Sequence, residues 1–466
     1  MSAEDTGRRA PESTPPADDA TPLPGAASGG AATGTGAGAG SAVTATVTAG
    51  PVADPDYPVE PVPVHARKSL FSLGVVLVGF TLFTPTMLAG AQVGAAYAFW
   101  PLMGVLVLGS AILGLYVGVI GWIGARANLT TVMMARYTLG TGGAKAASLL
   151  LGGTQVGWYG VSIATVGLLV AEAAGWEGDL PGQAVMVAAG AVMGVTAYIG
   201  YAGMYWLSVV AVPLLLALAG WVSWRAFGEA GGVSGLAAIE PATTMPLTVA
   251  MTIIVGTFAS GGTQAPNWTR FARTPAAGFW ASIAAFFGGQ LLMLFCGAIG
   301  ALAFGQGDFV LVLFQLGLVG WGVVFLVANI WTTNDNAAYA VGVAGAEIFN
   351  TRSRKPWVLV CVVAGTALAV TGIYDHLIGY LTWLGILIPP LGGVIIGDFL
   401  LRRRGELPPA AGLPLIRWDT VAVYAVAALA AWWCSETELL IPPIVGVVLA
   451  ALGAVAAAAV RGRRSA

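Results

Sequence analysis

From residue 70 onward the chain runs as a succession of apolar stretches of about twenty residues, parted by short charged or glycine- and proline-bearing connections. About 20 apolar residues in a helix cross the hydrocarbon core of a bilayer. Backbone polar groups in lipid must be satisfied inside the spanning element, which leaves helices and closed barrels as solutions. Composition points the same way. Of 466 residues, 57% are hydrophobic and 9% charged, and the mean hydropathy is +0.82. A soluble domain carries about 25% charged residues, so this chain cannot clothe a water-soluble surface. The pattern predicts an all-α membrane protein with twelve spans, near 70–97, 101–125, 144–172, 182–200, 204–227, 246–267, 278–304, 309–336, 356–374, 377–400, 418–434 and 439–460.

The charges supply a separate check. Cytoplasmic connections are enriched in Lys and Arg. With an even number of spans, nineteen of the twenty basic residues fall on one side, Arg225 being the exception. The opposite connections hold Glu177, Asp179, Glu229, Glu240, Asp308, Asp375, Glu436 and Glu438. This predicts a multi-pass protein of the cell membrane with both termini cytoplasmic. Residues 1–62 differ in kind: they are rich in Ala, Gly, Thr and Pro, with Tyr57 as their one aromatic. Such a segment buries too little apolar area to offset its ordering entropy and is expected to be a disordered cytoplasmic tail. It lacks the basic and apolar regions of a signal peptide. Residues 63–466 are expected to form the membrane domain.

Cys296, Cys361 and Cys434 lie in apolar stretches, and their odd number and spacing give neither a disulfide framework nor a zinc site. His65 and His376 stand apart, at expected membrane edges. No nucleophile–base pair, metal cluster or phosphate-binding loop suggests an enzyme, and no cofactor, nucleic-acid partner or obligate protein partner is indicated.

Two expected spans look broken. The first carries Gly79-Phe80-Thr81-Leu82-Phe83-Thr84-Pro85, and the sixth carries Gly256-Thr257-Phe258-Ala259-Ser260-Gly261-Gly262 followed by Pro266. Proline removes a backbone donor and restricts the residue before it. The breaks occupy the first helix of each half, if the halves are spans 1–5 and 6–10. An odd number of helices per half makes the second half an inverted repeat. Paired interruptions of this kind point to the binding site of a transporter. A polar run, Asn329-Ile330-Trp331-Thr332-Thr333-Asn334-Asp335-Asn336, sits in the eighth span. Polar and ionisable residues inside a membrane are costly and commonly face an ion or substrate path. In the third span, Gln155 and Trp158 are three apart and share a helix face.

With these stretches in view, the chain resembles the cytosine permeases of nucleobase:cation symporter family one. The matching segments are 63–83, 148–160, 258–273, 329–339 and 388–398. It departs from the family's pattern at Thr84-Pro85, at Ala89-Gly90-Ala91-Gln92, at Ala259 and over Gln264 to Trp268. The resemblance implies a LeuT-type fold: a 5+5 inverted repeat (63–227 and 246–400) with two further helices (418–460). It also implies a sodium ion held by the carbonyls of Gly79 and Leu82 and by Asn329, Thr332 and Thr333. A nucleobase, with cytosine the expected one, would lie between Trp158 and Phe258, with hydrogen bonds from Gln155, Ser260, the backbone around Phe83 and Thr257, and Asn334. The function implied is sodium symport of the base by alternating access. Rival expectations are a proton- or sodium-coupled carrier of a purine, hydantoin or hydroxymethylpyrimidine, with Asp335 as the group that admits protons, and a membrane sensor that binds a base without moving it.

Overall fold

The computed structural model describes residues 54–464. Among them every regular element is helical apart from one isolated bridge between Lys68 and Ala272. The helices are α1 (Leu70–Thr81), α2 (Thr84–Gly94), α3 (Phe99–Ala127), α4 (Thr131–Leu139), α5 (Thr141–Ala174), α6 (Asp179–Ile199), α7 (Tyr201–Glu229), α8 (Gly232–Ala237), α9 (Leu247–Gly256), α10 (Ala259–Thr263) and α11 (Pro266–Thr269). Then come α12 (Pro275–Ile283), a π-helical turn (Ala284–Gly289), α13 (Gln290–Phe304), α14 (Phe309–Gln315), α15 (Val319–Phe349), α16 (Lys355–Val370), α17 (Leu377–Ile396), α18 (Trp418–Thr437) and α19 (Pro442–Arg464). Seven helical stretches are long and apolar enough to cross a membrane, and α1 with α2 makes an eighth.

Both expected breaks are present. Ser69 caps α1 by accepting the Ser72 N–H, and the helix ends at Thr81. Phe83 is extended, with φ −139° and ψ 120°, and α2 then leaves at 58° to α1. Pro85 explains the break. In a continuous helix its ring would strike the Thr81 carbonyl; in the first turn of a new helix its missing N–H costs nothing. The second interruption is longer. α9 stops at Gly256, Phe258 leaves the helical region, and two short helices follow, the second opened by Pro266. Around the breaks the helices pack very closely. A Cβ on Gly90 would lie 2.1 Å from the Leu294 carbonyl oxygen, and one on Gly297 would lie 1.9 Å from that of Met87. Glycines therefore let α2 and α13 meet backbone to backbone. All three cysteines are free and buried.

Three expectations need correction. The eighth stretch is not one helix over 309–336. α14 ends at Gln315, Gly317 takes φ +76°, and α15 starts at Val319 and continues to Phe349. The reason is the left-handed turn at Gly317, which ends a helix. The connection between the fourth and fifth stretches is Gly200 alone, at φ +106°. Finally, the expected disordered tail of 1–62 does not reach residue 62. Val62 is buried, as are Asp54 and Asp56, whose carboxylates meet Arg354. Residues 1–53 lie outside the described residues.

Candidate substrate and cation site between the broken helices

In an unbroken helix the Thr84 N–H would donate to the Phe80 carbonyl four residues back. Here the two halves of that bond are taken over by one face of α15. Thr84 N donates to Asn329 Oδ1 at 2.7 Å, and the Thr84 hydroxyl donates to the same oxygen at 2.8 Å. The Phe80 carbonyl accepts from Thr333 Oγ1 at 3.1 Å. Asn329 and Thr333 are four apart and so share a helix face. The polar run is thus buried not by chance but as a splint across the break in helix one.

The same spot gathers oxygen atoms. The Asn329 carbonyl accepts from Thr332 Oγ1 at 2.9 Å and from Thr333 Oγ1 at 3.3 Å. With the Phe80 carbonyl these make a set of neutral oxygens beside the C-terminal, partially negative end of α1. Hard cations take oxygen ligands, which carbonyls and hydroxyls supply without a carboxylate. Of the five residues expected at a cation, Asn329, Thr332 and Thr333 are brought together. Thr332 also bonds back to its own helix, at the Ala328 carbonyl. Leu82 closes the last α1 bond onto Val78, and Gly79 lies against Ser208 of α7. The carbonyl actually facing Thr333 belongs to Phe80, which lies between them; a backbone oxygen leaves no mark in a sequence.

The aromatic residues form a second, adjoining cluster. Phe83 meets Trp158 edge-on, with ring centroids 5.3 Å apart at 74°, and meets Phe258 at 6.1 Å. Trp158 is flanked on α17 by Tyr380 at 5.4 Å and 69°. Such tilted pairs are favoured by the ring quadrupoles. Gln155 Nε2 donates to Ser260 Oγ at 3.1 Å, tying α5 to the second break, while Gln155 Oε1 is buried without a partner. The Thr257 hydroxyl bonds back to Ile254. Gln155, Trp158, Phe83, Phe258, Ser260 and Thr257 are all buried, and all lie on α5 or at the two breaks.

Asn334 is not brought to this cluster. Its amide donates to Met193 Sδ on α6 at 3.7 Å. The cause is helical geometry: one residue past Thr333 turns the side chain by about 100°, away from α1. Asp335 and Asn336 hydrogen-bond to each other at 2.9 Å, and Asn336 reaches back to the Thr332 carbonyl. Tyr380, which flanks Trp158, was not foreseen; an aromatic in an apolar helix carries no signal of its own.

Comparison with known proteins agrees with this geometry. Residues 61–454 match the family described as permease for cytosine/purines, uracil, thiamine, allantoin. The cytosine permease of Escherichia coli (strain K12) is 37% identical over 381 residues, covering 82% of this chain and 90% of its own. A hydantoin permease of Microbacterium maritypicum is 24% identical over 409 residues, 78% of this chain and 81% of its own. Among solved structures, Mhp1, a nucleobase-cation-symport-1 family transporter in a closed conformation with bromovinylhydantoin bound, superposes with a TM-score of 0.74 at 20% identity, over 86% of this chain and 95% of its own. A Na+-coupled sialic acid symporter in a substrate-bound outward-open state gives 0.62 at 11% identity, over 84% and 90%. The fold is therefore that of Mhp1, and the relatives are carriers rather than enzymes. The chain belongs to the family of permeases for cytosine/purines, uracil, thiamine and allantoin.

Proposed function

We propose that this protein imports cytosine together with one sodium ion by alternating access. The observation that carries the reading is the splint at the first break: Asn329 and Thr333 hold both sides of helix one beside a set of neutral oxygens. In this reading the ion joins the carbonyls near the end of α1 to the hydroxyls of Thr332 and Thr333. It thereby braces α1 against α15 and favours the state that accepts substrate from outside. Twelve spans in a 5+5 inverted repeat, with both termini cytoplasmic, fit the helix order and the distribution of basic residues. The first, second, sixth and seventh spans then move relative to the third, fourth, eighth and ninth.

Cytosine is planar and uncharged, so the ion supplies the electrical drive. One charge moving through about 100 mV contributes roughly 2.3 kcal/mol. The base stacks on Trp158, taking the place of one of its edge-on neighbours, Phe83 or Tyr380. Stacking hardly distinguishes bases, so selection falls to hydrogen bonds. Gln155 has an acceptor with no protein partner and an amide held only by the Ser260 hydroxyl, which suits the mixed donor and acceptor edge of cytosine. Identity of 37% to a cytosine permease supports this base over a hydantoin, whose permease is 24% identical.

The test is uptake of labelled cytosine into proteoliposomes, with sodium replaced by choline at fixed pH. Uptake that needs sodium supports the proposal. Undiminished uptake in choline that follows a pH gradient would establish proton coupling instead. Binding without counterflow would make the protein a sensor, and competition by hydantoins or purines over cytosine would reassign the substrate.

A further inference from the structure

Among the described residues two arginines are wholly buried: Arg270, just after α11, and Arg354, just before α16. A guanidinium stays charged in a protein and must find acceptors. Both find them on one short segment, residues 54–57. Arg354 Nε and Nη2 reach Asp56 Oδ2 at 3.1 and 3.0 Å, and the Arg354 backbone N–H donates to Asp54 Oδ2 at 3.1 Å. Arg354 Nη1 donates to the Ala197 carbonyl at the end of α6, at 2.6 Å. Arg270 donates to the carbonyls of Tyr57 and Asp56 at 2.5 and 2.7 Å, and to the Tyr339 hydroxyl of α15 at 3.1 Å. Asp56 Oδ2 also accepts the Tyr201 N–H that opens α7, at 3.0 Å.

Gly200 makes room for this junction. A Cβ there would fall 2.0 Å from Arg354 Nη2 and 2.2 Å from Asp56 Oδ2. Nearby, Lys68 and the segment after α11 exchange backbone bonds: Lys68 N to the Phe271 carbonyl at 2.5 Å, and Arg273 N to that of Lys68 at 3.1 Å. The ends of both broken helices are therefore tied to each other, and through residues 54–57 to α6, α7, α15 and α16.

We propose that Asp54, Asp56, Arg270 and Arg354 form a latch that holds the cytoplasmic end of the transport path shut and opens once in each cycle. The inference rests on the transport reading and its orientation. Release to the cytoplasm must part the α1–α11 pair from α6 and α16, and residues 54–57 bridge that line through Arg270 on one side and Arg354 on the other. They are ionic and hydrogen-bonded, so water can replace them as the gap opens. A partly opened latch would leave a buried charge unpaired, which is strongly disfavoured; the latch accordingly has two states, shut and hydrated.

The test uses full-length protein in proteoliposomes with Cys296→Ala, Cys361→Ala and Cys434→Ala, carrying one reporter at a time. Asn267→Cys lies on buried α11, and Ala91→Cys lies on α2, beyond the first break. Asp56→Asn removes the charge and keeps the shape. We expect it to raise the rate of modification of Asn267→Cys by a charged maleimide about tenfold or more, as loss of one charge-assisted bond implies, with no rise at Ala91→Cys. Asp54→Asn, which alters only the carboxylate at the Arg354 backbone N–H and Nε, should give a smaller rise at the same reporter and stands in if Asp56→Asn fails to fold. Unchanged labelling of Asn267→Cys would overturn the latch, and so would an equal rise at both reporters, since that marks general loosening. Counterflow of cytosine by the wild-type protein tests the transport reading separately from the labelling.

Discussion

Replacing Asn329 with alanine probes the splint directly. Its Oδ1 accepts two bonds from Thr84, at 2.7 and 2.8 Å, and both partners are buried. The Thr84 hydroxyl can rotate to another acceptor, but the Thr84 N–H cannot move without reshaping the break. One orphaned buried donor costs about 1–3 kcal/mol. The Asn329 amide nitrogen has no protein partner, so losing it offsets part of that cost. A net loss of about 1–2 kcal/mol, in a chain of this length, should lower the melting temperature by roughly 1–2 °C. Asn329→Asp keeps both acceptor bonds and adds a negative charge beside the expected ion; it should melt below wild type in choline and gain more than wild type from sodium. The assay is thermal unfolding in detergent, in sodium and in choline. Asn329→Ala should lose most of any sodium-induced rise, because the break no longer holds the oxygens in register. If Asn329→Ala melts at the wild-type temperature and keeps its full response to sodium, the splint has no energetic role and the ion binds elsewhere.

Three further outcomes follow from the same geometry. Thr333→Ala should raise the sodium concentration for half-maximal uptake about tenfold, the effect of losing about 1.4 kcal/mol of ligation; an unchanged sodium requirement would remove Thr333 from the ion. Trp158→Ala should weaken cytosine binding by about 5- to 150-fold, since stacking is worth roughly 1–3 kcal/mol per base, while Trp158→Phe should fall between; equal affinities in all three by equilibrium binding would refute the stacking site. Asp308 caps α14 from a connecting loop, and burial raises its carboxyl to about 6 despite the N–H groups of Val310 and Leu311 that favour the charge. An acid raised in the folded state stabilises most when both states are protonated, below about pH 4, and that contribution is lost as pH rises to about 6. The change is about 3 kcal/mol over the window. Asp308→Asn should flatten the melting temperature between pH 4 and 6, and a slope that persists in the variant would assign it to another group.

The parts of the site that could be read from sequence are those where chemistry is out of place. Asn329, Thr332 and Thr333 stand out because a polar group in a membrane helix is costly, and Pro85 and Gly261-Gly262 stand out because they break helices. Asn334 stood in the same run and shared the same signal, yet faces Met193; adjacency in sequence does not give a shared face, whereas spacing of four does. The Phe80 carbonyl was invisible because backbone atoms are the same at every position. The latch was invisible for another reason. Asp54 and Asp56 end a segment whose composition suggests disorder, and their partner Arg354 lies about 300 positions away. Only the folded chain brings them together.

The splint and the proposed latch are mounted on one helix. Asn329, Thr333 and Tyr339 all belong to α15, and from Asn329 to Tyr339 the helix rises about 15 Å. Asn329 and Thr333 grip the break of helix one, while Tyr339 holds Arg270. A helix carries displacement along its axis with little loss, so a change in how α1 meets Thr333 is felt where Arg270 meets Tyr339. Coupling of this kind needs an element with two discrete arrangements, which a latch of buried charges supplies. It must also be reciprocal: if sodium bound near Thr333 favours the shut latch, a shut latch must raise sodium affinity by the same factor. In Asp56→Asn, which touches none of the expected ion ligands, sodium should therefore still draw the protein towards the shut state and slow the labelling of Asn267→Cys. Labelling rates of Asn267→Cys in the Asp56→Asn variant, measured across a sodium titration with choline as the replacement, decide the matter: labelling that sodium does not slow would uncouple the two sites.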